Sequence, residues 1–374
     1  MMPWALRRPV RRTRNGVRRT VLVVAQARRW RAIAAAPRAR KRLAVSYGYE
    51  RMPGLGEIVY GGHVKFQQLH RRLPNEPRAF NVLYLGSTSM PLDAPVLVRL
   101  ARRRGAAFVW NQNGVAYPGW YGDGWELVNA PRARLLHEAD HVFFQSSFCK
   151  VGADRFYGER QDRWEVLYNP VDCRRFAPTP TRPNRPLTLL LAGNQYQRYR
   201  VVAALETLAI LRRGGDDVRL LVSGALTFGL DADENIRDLV GRLELAQAVE
   251  FTGPYPQTDA PALYARADVL LHTKYNDPCP TVVLEAMASG LPVAFSASGG
   301  TPELVGDDAG IGVPAPLDWE RDHPPSGEAL AEVVRLLADR LGDYAAAARE
   351  RARAFDTERW IARHVEVFEG LRAI

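Results

Sequence analysis

Residues 270–305 read LLHTKYNDPCPTVVLEAMASGLPVAFSASGGTPELV, and the order of apolar runs and chain breakers in this stretch decides the fold. The apolar run 269–272 has strand length, and Asn276, Asp277, Pro278 and Pro280 then interrupt regular structure. Pro280 suits a first helical position, where its missing N–H costs nothing. The spacing predicts a helix from Thr281 that ends at Gly290, with Pro292 just beyond and a short apolar strand over 292–295. A helix N-terminus of this kind offers free N–H groups and the positive end of its dipole to phosphates. Pro280, Thr281 and Val282 are therefore candidate contacts for a phosphate-bearing ligand. Asp277 stands before the helix as a candidate catalytic carboxylate, and Glu285, a little over one turn inside, suits a pair of neighbouring sugar hydroxyls. The plainer alternative makes Asp277 a cap and Glu285 a solvated residue.

The string LEAMASGLPV from Leu284, followed by Gly299, Gly300 and Glu303, resembles the donor-site motif of the retaining glycosyltransferases of family 4. The resemblance runs from about Leu43 to the C-terminus. It implies an α/β chain of the GT-B fold, with two facing Rossmann-like domains and a cleft between them, the second domain holding a nucleotide sugar and the first an acceptor. It also implies transfer with retention of anomeric configuration, no metal and no cofactor, the nucleotide-diphosphate sugar being a substrate. That family usually carries a Glu where this chain has Asp277, and often a Gly in place of Pro278.

Nearer the start, the first strand is expected over 43–46, followed by the loop MPGLGEIVYGG and a helix with Phe66, Leu69 and Leu73 on one face. Gly61 and Gly62 thus fall between a strand end and a helix start, where backbone can approach a phosphate closely. Their neighbour His63 is a candidate acceptor contact. Strands over 81–85, 106–110, 141–145 and 165–168, with a helix over 95–104, argue for a parallel sheet. After the strand ending at Trp110 comes NQNGVAYPGWYGDGWELVN (111–129). Enzymes that the chain resembles place a histidine near the donor sugar here, but this chain has Asn113, an amide that cannot act as acid or base near neutral pH. Tyr117, Trp120, Tyr121 and Trp125 follow, and aromatic faces suit stacking on a saccharide as well as core packing.

Tyr168-Asn169-Pro170-Val171-Asp172 resembles the element that closes the first domain in that family, and the proline-rich residues 177–186 read as a linker. The domains are accordingly expected over 43–180 and 187–355, with a last helix over 356–374 returning to the first. A strand over 187–192 leads to Gly193 and Asn194 and then to an arginine-bearing helix. The related enzymes place an Arg just after this Gly and a Lys a few residues on, facing the departing diphosphate. Here Asn194 stands in the first position, and Arg200, or Arg198 if the loop is shorter, supplies the second, since a guanidinium forks onto phosphate oxygens. The loop at 254–257 is placed near the nucleotide base by the same resemblance.

The net charge of +10 is uneven: residues 1–49 hold fourteen Lys or Arg and no acid, leaving the remainder at −4. Residues 1–42 thus form a basic extension, read either as a tether or as an amphipathic helix on an anionic membrane surface. Nucleic acid attracts arginines too, but no reader motif marks a specific nucleic-acid partner. Three cysteines without metal spacing suit a reducing, cytoplasmic setting, peripheral to the inner membrane face if the extension binds lipid. His137 and His141 straddle a helix end and a strand, so no zinc site is expected. The acceptor is expected to be a saccharide, a lipid-linked glycan or a small molecule. The same fold also accommodates a sugar-nucleotide epimerase, or a protein that binds nucleotide or glycan without turnover.

Overall fold

The computed structural model describes residues 26–37, 42–59, 61–179 and 185–372. Most of the basic extension and the middle of the proline-rich linker therefore lie outside the described residues.

Five strands form the first sheet, all parallel and in chain order: β1 (Val45–Ser46), β2 (Val82–Gly86), β3 (Ala107–Gln112), β4 (His141–Phe144) and β5 (Trp164–Val166). On the outer side of β1, Val45 also bridges Asn75 in parallel, and the Glu76 N–H donates to the Val45 carbonyl at 2.8 Å. The chain thus winds one way from β1 to residue 75 and the other way from β2 onward. Strand order reverses at β1, and in such sheets ligands settle at the carboxyl ends beside the reversal.

Side-chain alternation assigns the two faces. Val45, Val82, Tyr84 and Val109 meet Phe66 and Leu69 of α2 (Gly61–Arg72) and Trp360, Ile361 and Phe368 of α14 (Thr357–Arg372). Leu83, Leu85, Phe108 and Trp110 point the other way, into α3 (Ala94–Arg103), α5 (Trp125–Glu138) and α6 (Ser147–Tyr157). Both faces are covered, which explains the continuous apolar runs Val82–Leu85 and Ala107–Trp110.

A helix over 26–35, α1, belongs to this second face. Ile33 is fully buried in its core and Trp30 packs beside it. The Trp30 indole donates to Asp93 at 2.9 Å, and Arg29 donates to the Gly48 carbonyl at 2.7 Å. The extension expected to end at residue 42 is therefore part of the first domain from residue 26, because the apolar face read as lipid-facing is used by the protein itself. Ile33→Ala should lower unfolding stability by about 2–5 kcal/mol, read as a lower denaturant midpoint. A mere tether predicts no change.

The second sheet is also parallel, in the order β11-β10-β9-β6-β7-β8, built from β6 (Leu187–Leu191), β7 (Val218–Ser223), β8 (Val249–Gly253), β9 (Val269–His272), β10 (Val293–Ala297) and β11 (Gly310–Pro314). Its order reverses between β6 and β9. Helices α7 (Arg198–Arg213) and α12 (Gly327–Asp339) cover one face; α9 (Ala260–Tyr264), α10 (Thr281–Ala288), α11 (Thr301–Val305) and α13 (Leu341–Ala352) cover the other. The chain then crosses back. Val171 and Thr357 pair through their backbones, and Arg363 of α14 forks onto Glu165 of β5 at 2.9 and 3.0 Å.

Candidate active site

The carboxyl ends of the two sheets face each other across a cleft of about 420 Å3, lined from both domains. Seams on either side hold them in register. Ser146 donates to the Pro278 carbonyl at 2.7 Å, and Asn169 donates to the Cys279 carbonyl at 2.8 Å. Glu303 accepts from the Ser147 and Phe148 N–H groups, so a carboxylate of the second domain caps α6 of the first. The loop after β11 forms another strap. Its Trp319 is buried in the first domain against Phe148, with rings stacked at 5.1 Å, and against Tyr117 edge-on at 5.0 Å. The same loop holds the donor side, because Tyr275 donates to the Pro316 carbonyl at 2.6 Å and Asn276 to the Asp318 carbonyl at 3.2 Å.

On the first-domain wall, Gly61 and Gly62 open α2 and line the cleft. A Cβ on Gly62 would stand 2.6 Å from the Thr88 hydroxyl, so the close approach requires glycine. His63 does not line the cleft; consecutive helical residues diverge by about 100°, and its ring packs on Tyr49 at 5.4 Å. Lys65, one turn in from Gly61 and unmarked by the local sequence pattern, does line it. Asn113 also lines the cleft, its Oδ1 accepting from the Gly114 N–H at 2.7 Å. Of the aromatic residues, Tyr117 and Trp120 reach the cleft. Tyr121 does not, since the short helix α4 (Pro118–Tyr121) turns it aside, and Trp125 packs edge-on against Phe156 at 5.1 Å.

On the second-domain wall, Gly193 (φ 83°) lies against Gly224, where a Cβ would come within 2.3 Å of the Gly193 carbonyl. Asn194 lines the cleft, but its side-chain oxygen accepts from the Ala225 N–H at 3.0 Å and so braces the loop. Arg200 is buried at the cleft wall, donates to the Asn194 carbonyl at 3.0 Å, lies over the Tyr196 ring, and keeps a buried Nε without a partner among the described residues. Arg198 is exposed and outside the cleft, so of the two arginines Arg200 is the one that lines it.

After β9, Asn276 adopts φ 49°, a left-handed turn that asparagine tolerates. Pro280 precedes α10 as its cap in extended conformation rather than opening it, because the helix begins at Thr281. Asp277 Oδ2 lies 3.2 Å from Lys274 Nζ and 3.3 Å from His272 Nε2. Burial works to raise the Asp277 carboxyl, but Lys274, His272 and Arg200 outweigh it and hold it well below the usual carboxylate range. Burial opposes the charge on Lys274 in turn, and Asp277 more than compensates, so the amine is held above its ordinary value. Gly299 and Gly300 make this turn possible, since a Cβ on either would strike the carbonyls of Asp277 or Pro278 at 2.4 and 2.0 Å.

Glu285 is buried on α10, its Oε1 accepting from Gln257 at 2.9 Å and its Oε2 from Tyr264 at 2.8 Å. Burial raises its carboxyl, partly offset by those two donors and by Arg175. It lines the cleft with Pro254, Tyr255 and Gln257 from the loop after β8. Each carboxylate oxygen retains a lone pair for a ligand hydroxyl. The cleft therefore combines two glycine turns, a helix N-terminus, the cations Arg200 and Lys274, and an acceptor carboxylate. This set can hold a diphosphate with a polar ring on either side. Among the described residues no cluster of His, Cys, Asp and Glu could hold a metal ion, and no helix is long and apolar enough to cross a membrane.

Residues 175–352 match the family described as "Glycosyl transferases group 1". This segment of the chain belongs to that family. The group 1 segment contains Arg200, Lys274, Asp277 and Glu285, whereas Gly61, Lys65 and Asn113 stand outside it. The chain is 31% identical over 269 residues to a D-inositol 3-phosphate glycosyltransferase of Salinispora tropica, covering 64% of this chain and 54% of that protein. It is 29% identical over 264 residues to a GDP-mannose-dependent alpha-(1-6)-phosphatidylinositol monomannoside mannosyltransferase of Mycolicibacterium smegmatis, covering 64% and 65%. The chain thus spans less than two thirds of the length of either relative. Anabaena HepE, crystallised with UDP and glucose, superposes with a TM-score of 0.64 over 78% of each chain at 19% identity. The fold around the group 1 segment is accordingly GT-B, with two Rossmann-like domains about one cleft.

Proposed function

We propose that the chain is a retaining glycosyltransferase that moves a sugar from a nucleoside-diphosphate donor to a hydroxyl of a saccharide, lipid-linked or small-molecule acceptor. One observation carries the reading: two buried cations, Arg200 and Lys274, stand on the cleft wall beside the N-terminus of α10, with Glu285 farther along that helix. The diphosphate rests on the N–H groups of Thr281 and Val282 and on the two cations. The ribose hydroxyls donate to Glu285, and the base lies by Tyr255 and Gln257. The sugar projects toward Asn113 and Gly62, where Trp120 offers a face to the acceptor.

In the reaction the bond from the anomeric carbon to the β-phosphate oxygen breaks, and its electron pair leaves with the nucleoside diphosphate. The acceptor hydroxyl attacks from the same face and passes its proton to the departing phosphate oxygen. Negative charge grows on that phosphate, and fixed cations aimed at developing charge supply the usual large catalytic contribution. Asp277 is ionised and already paired; it holds Lys274 and His272 in place rather than serving as a free base. The arginine-rich residues before 26 support an approach to an anionic cytoplasmic membrane surface, where a lipid-linked acceptor resides.

Donor identity comes first from a thermal-shift series with UDP, GDP and ADP sugars. With the stabilising donor, the anomeric proton coupling of the product should report the donor's own configuration, in the presence or absence of EDTA. An inverted product contradicts the reading.

A further inference from the structure

The cleft holds two lysines, and the protein treats them differently. Lys274 has Asp277 at 3.2 Å. Lys65, one turn into α2, is also buried, yet among the described residues no carboxylate lies within ion-pairing distance of it. Its protein acceptor is Asn111 Oδ1, an oxygen that also accepts from Gln145. Gln145 in turn accepts from Asn169 at 2.9 Å, whose own Oδ1 is buried without a partner among the described residues. A buried ammonium has three N–H groups to satisfy and a charge to balance. Lys65 lines the cleft together with Asn113, Gln145 and Asn169, all from the first domain.

Resting on the donor placement above, we infer that Lys65 binds an anionic group of the acceptor, so that the substrate which receives the sugar carries a phosphate or carboxylate near its reacting hydroxyl. The donor's phosphates are served by Arg200, Lys274 and α10 on the opposite wall. Among the described residues the first-domain wall offers one cation amid neutral amides, a set suited to one anion flanked by hydroxyls.

The surroundings agree. Burial brings the Lys65 amine down to about 7. The groups around it are Cys149 on α6, pushed up by burial to about 12; Cys279, raised further by burial; and His364 on α14, held by burial at about 3. Asp172 and Glu285 share a small adjoining cavity with Lys65 without pairing with it. An unfolded lysine keeps its proton up to 10.5. Holding the charge in the fold therefore costs stability, fully below pH 7 and less and less as pH rises toward 10.5.

The test uses sulfate, whose charge does not change near neutrality, titrated calorimetrically into the full chain saturated with UDP. Wild type should bind sulfate, with affinity about tenfold weaker at pH 8 than at pH 6 as the amine loses its proton. Lys65→Met should lose sulfate binding at least tenfold, lose the pH slope, keep UDP affinity within twofold, and melt no lower than wild type. Lys65→Arg should restore binding without the slope. Unchanged sulfate affinity in Lys65→Met overturns the inference, as does a fall in UDP affinity instead, which assigns Lys65 to the donor. If wild type binds no UDP, GDP or ADP, it is the donor reading that fails. The sulfate titration on the free protein still decides whether Lys65 is an anion site.

Discussion

Glu285→Ala is expected to lower donor affinity and kcat/KM by about a hundredfold or more, measured by calorimetry with the donor and by release of nucleoside diphosphate. The magnitude follows from two hydrogen bonds between ligand hydroxyls and an ionised group, each contributing about 1.5–3 kcal/mol, where about 1.4 kcal/mol is a tenfold change. Glu285→Gln should not rescue the loss. Gln257 and Tyr264 both point donors at the carboxylate, and the amide nitrogen would set a donor against one of them. Neither variant should unfold the protein at neutral pH. The buried carboxyl is raised above its ordinary 4.5, so ionising it costs stability at every pH above that value, and the variants are free of that cost. Full donor affinity in a folded Glu285→Ala would mean that the carboxylate merely anchors the loop after β8.

Arg200→Gln should act mainly on the chemical step, with kcat falling by about 10²–10³ and the donor dissociation constant moving less. The guanidinium is already oriented by the Asn194 carbonyl and Tyr196, and its Nε has no partner among the described residues, so it meets the phosphate without reorganising. Arg200→Lys restores charge without the fork and should recover only part of the rate. A loss confined to KM, with kcat intact, would place Arg200 in ground-state binding alone.

Much of this was legible in the chain because local rules agree there. The run 269–272, the breakers from Asn276 to Pro280 and the stop at Gly290 fix β9, the loop and α10, whereas residue counting alone leaves Glu285 open between a ligand contact and a solvated residue, and the resemblance carried by LEAMASGLPV makes the choice. Local rules likewise put Gly61 and Gly62 between a strand end and a helix start, a position that suits a plain turn as well as a ligand. Lys274 was not, because a lysine at a strand end carries no local sign of which way it faces; only the αL turn at Asn276 folds Asp277 back onto it. The helix hides Lys65, and the glycines draw the eye to their neighbour His63, which packs on Tyr49 outside the cleft. The docking of α1 was masked by composition: its arginines look like a solvated arm, and only Trp30 and Ile33 reveal a buried face. Trp319 sits among prolines and charges that read as loop, although it pins the second domain to the first.

The most direct measurement is a crystal structure of the chain with whichever of UDP, GDP or ADP raises its melting temperature most. The account predicts the diphosphate against the Thr281 and Val282 N–H groups, within reach of Arg200 and Lys274, and the ribose hydroxyls on Glu285. A nucleotide bound elsewhere, or one whose ribose leaves Glu285 bonded only to Gln257 and Tyr264, would contradict it.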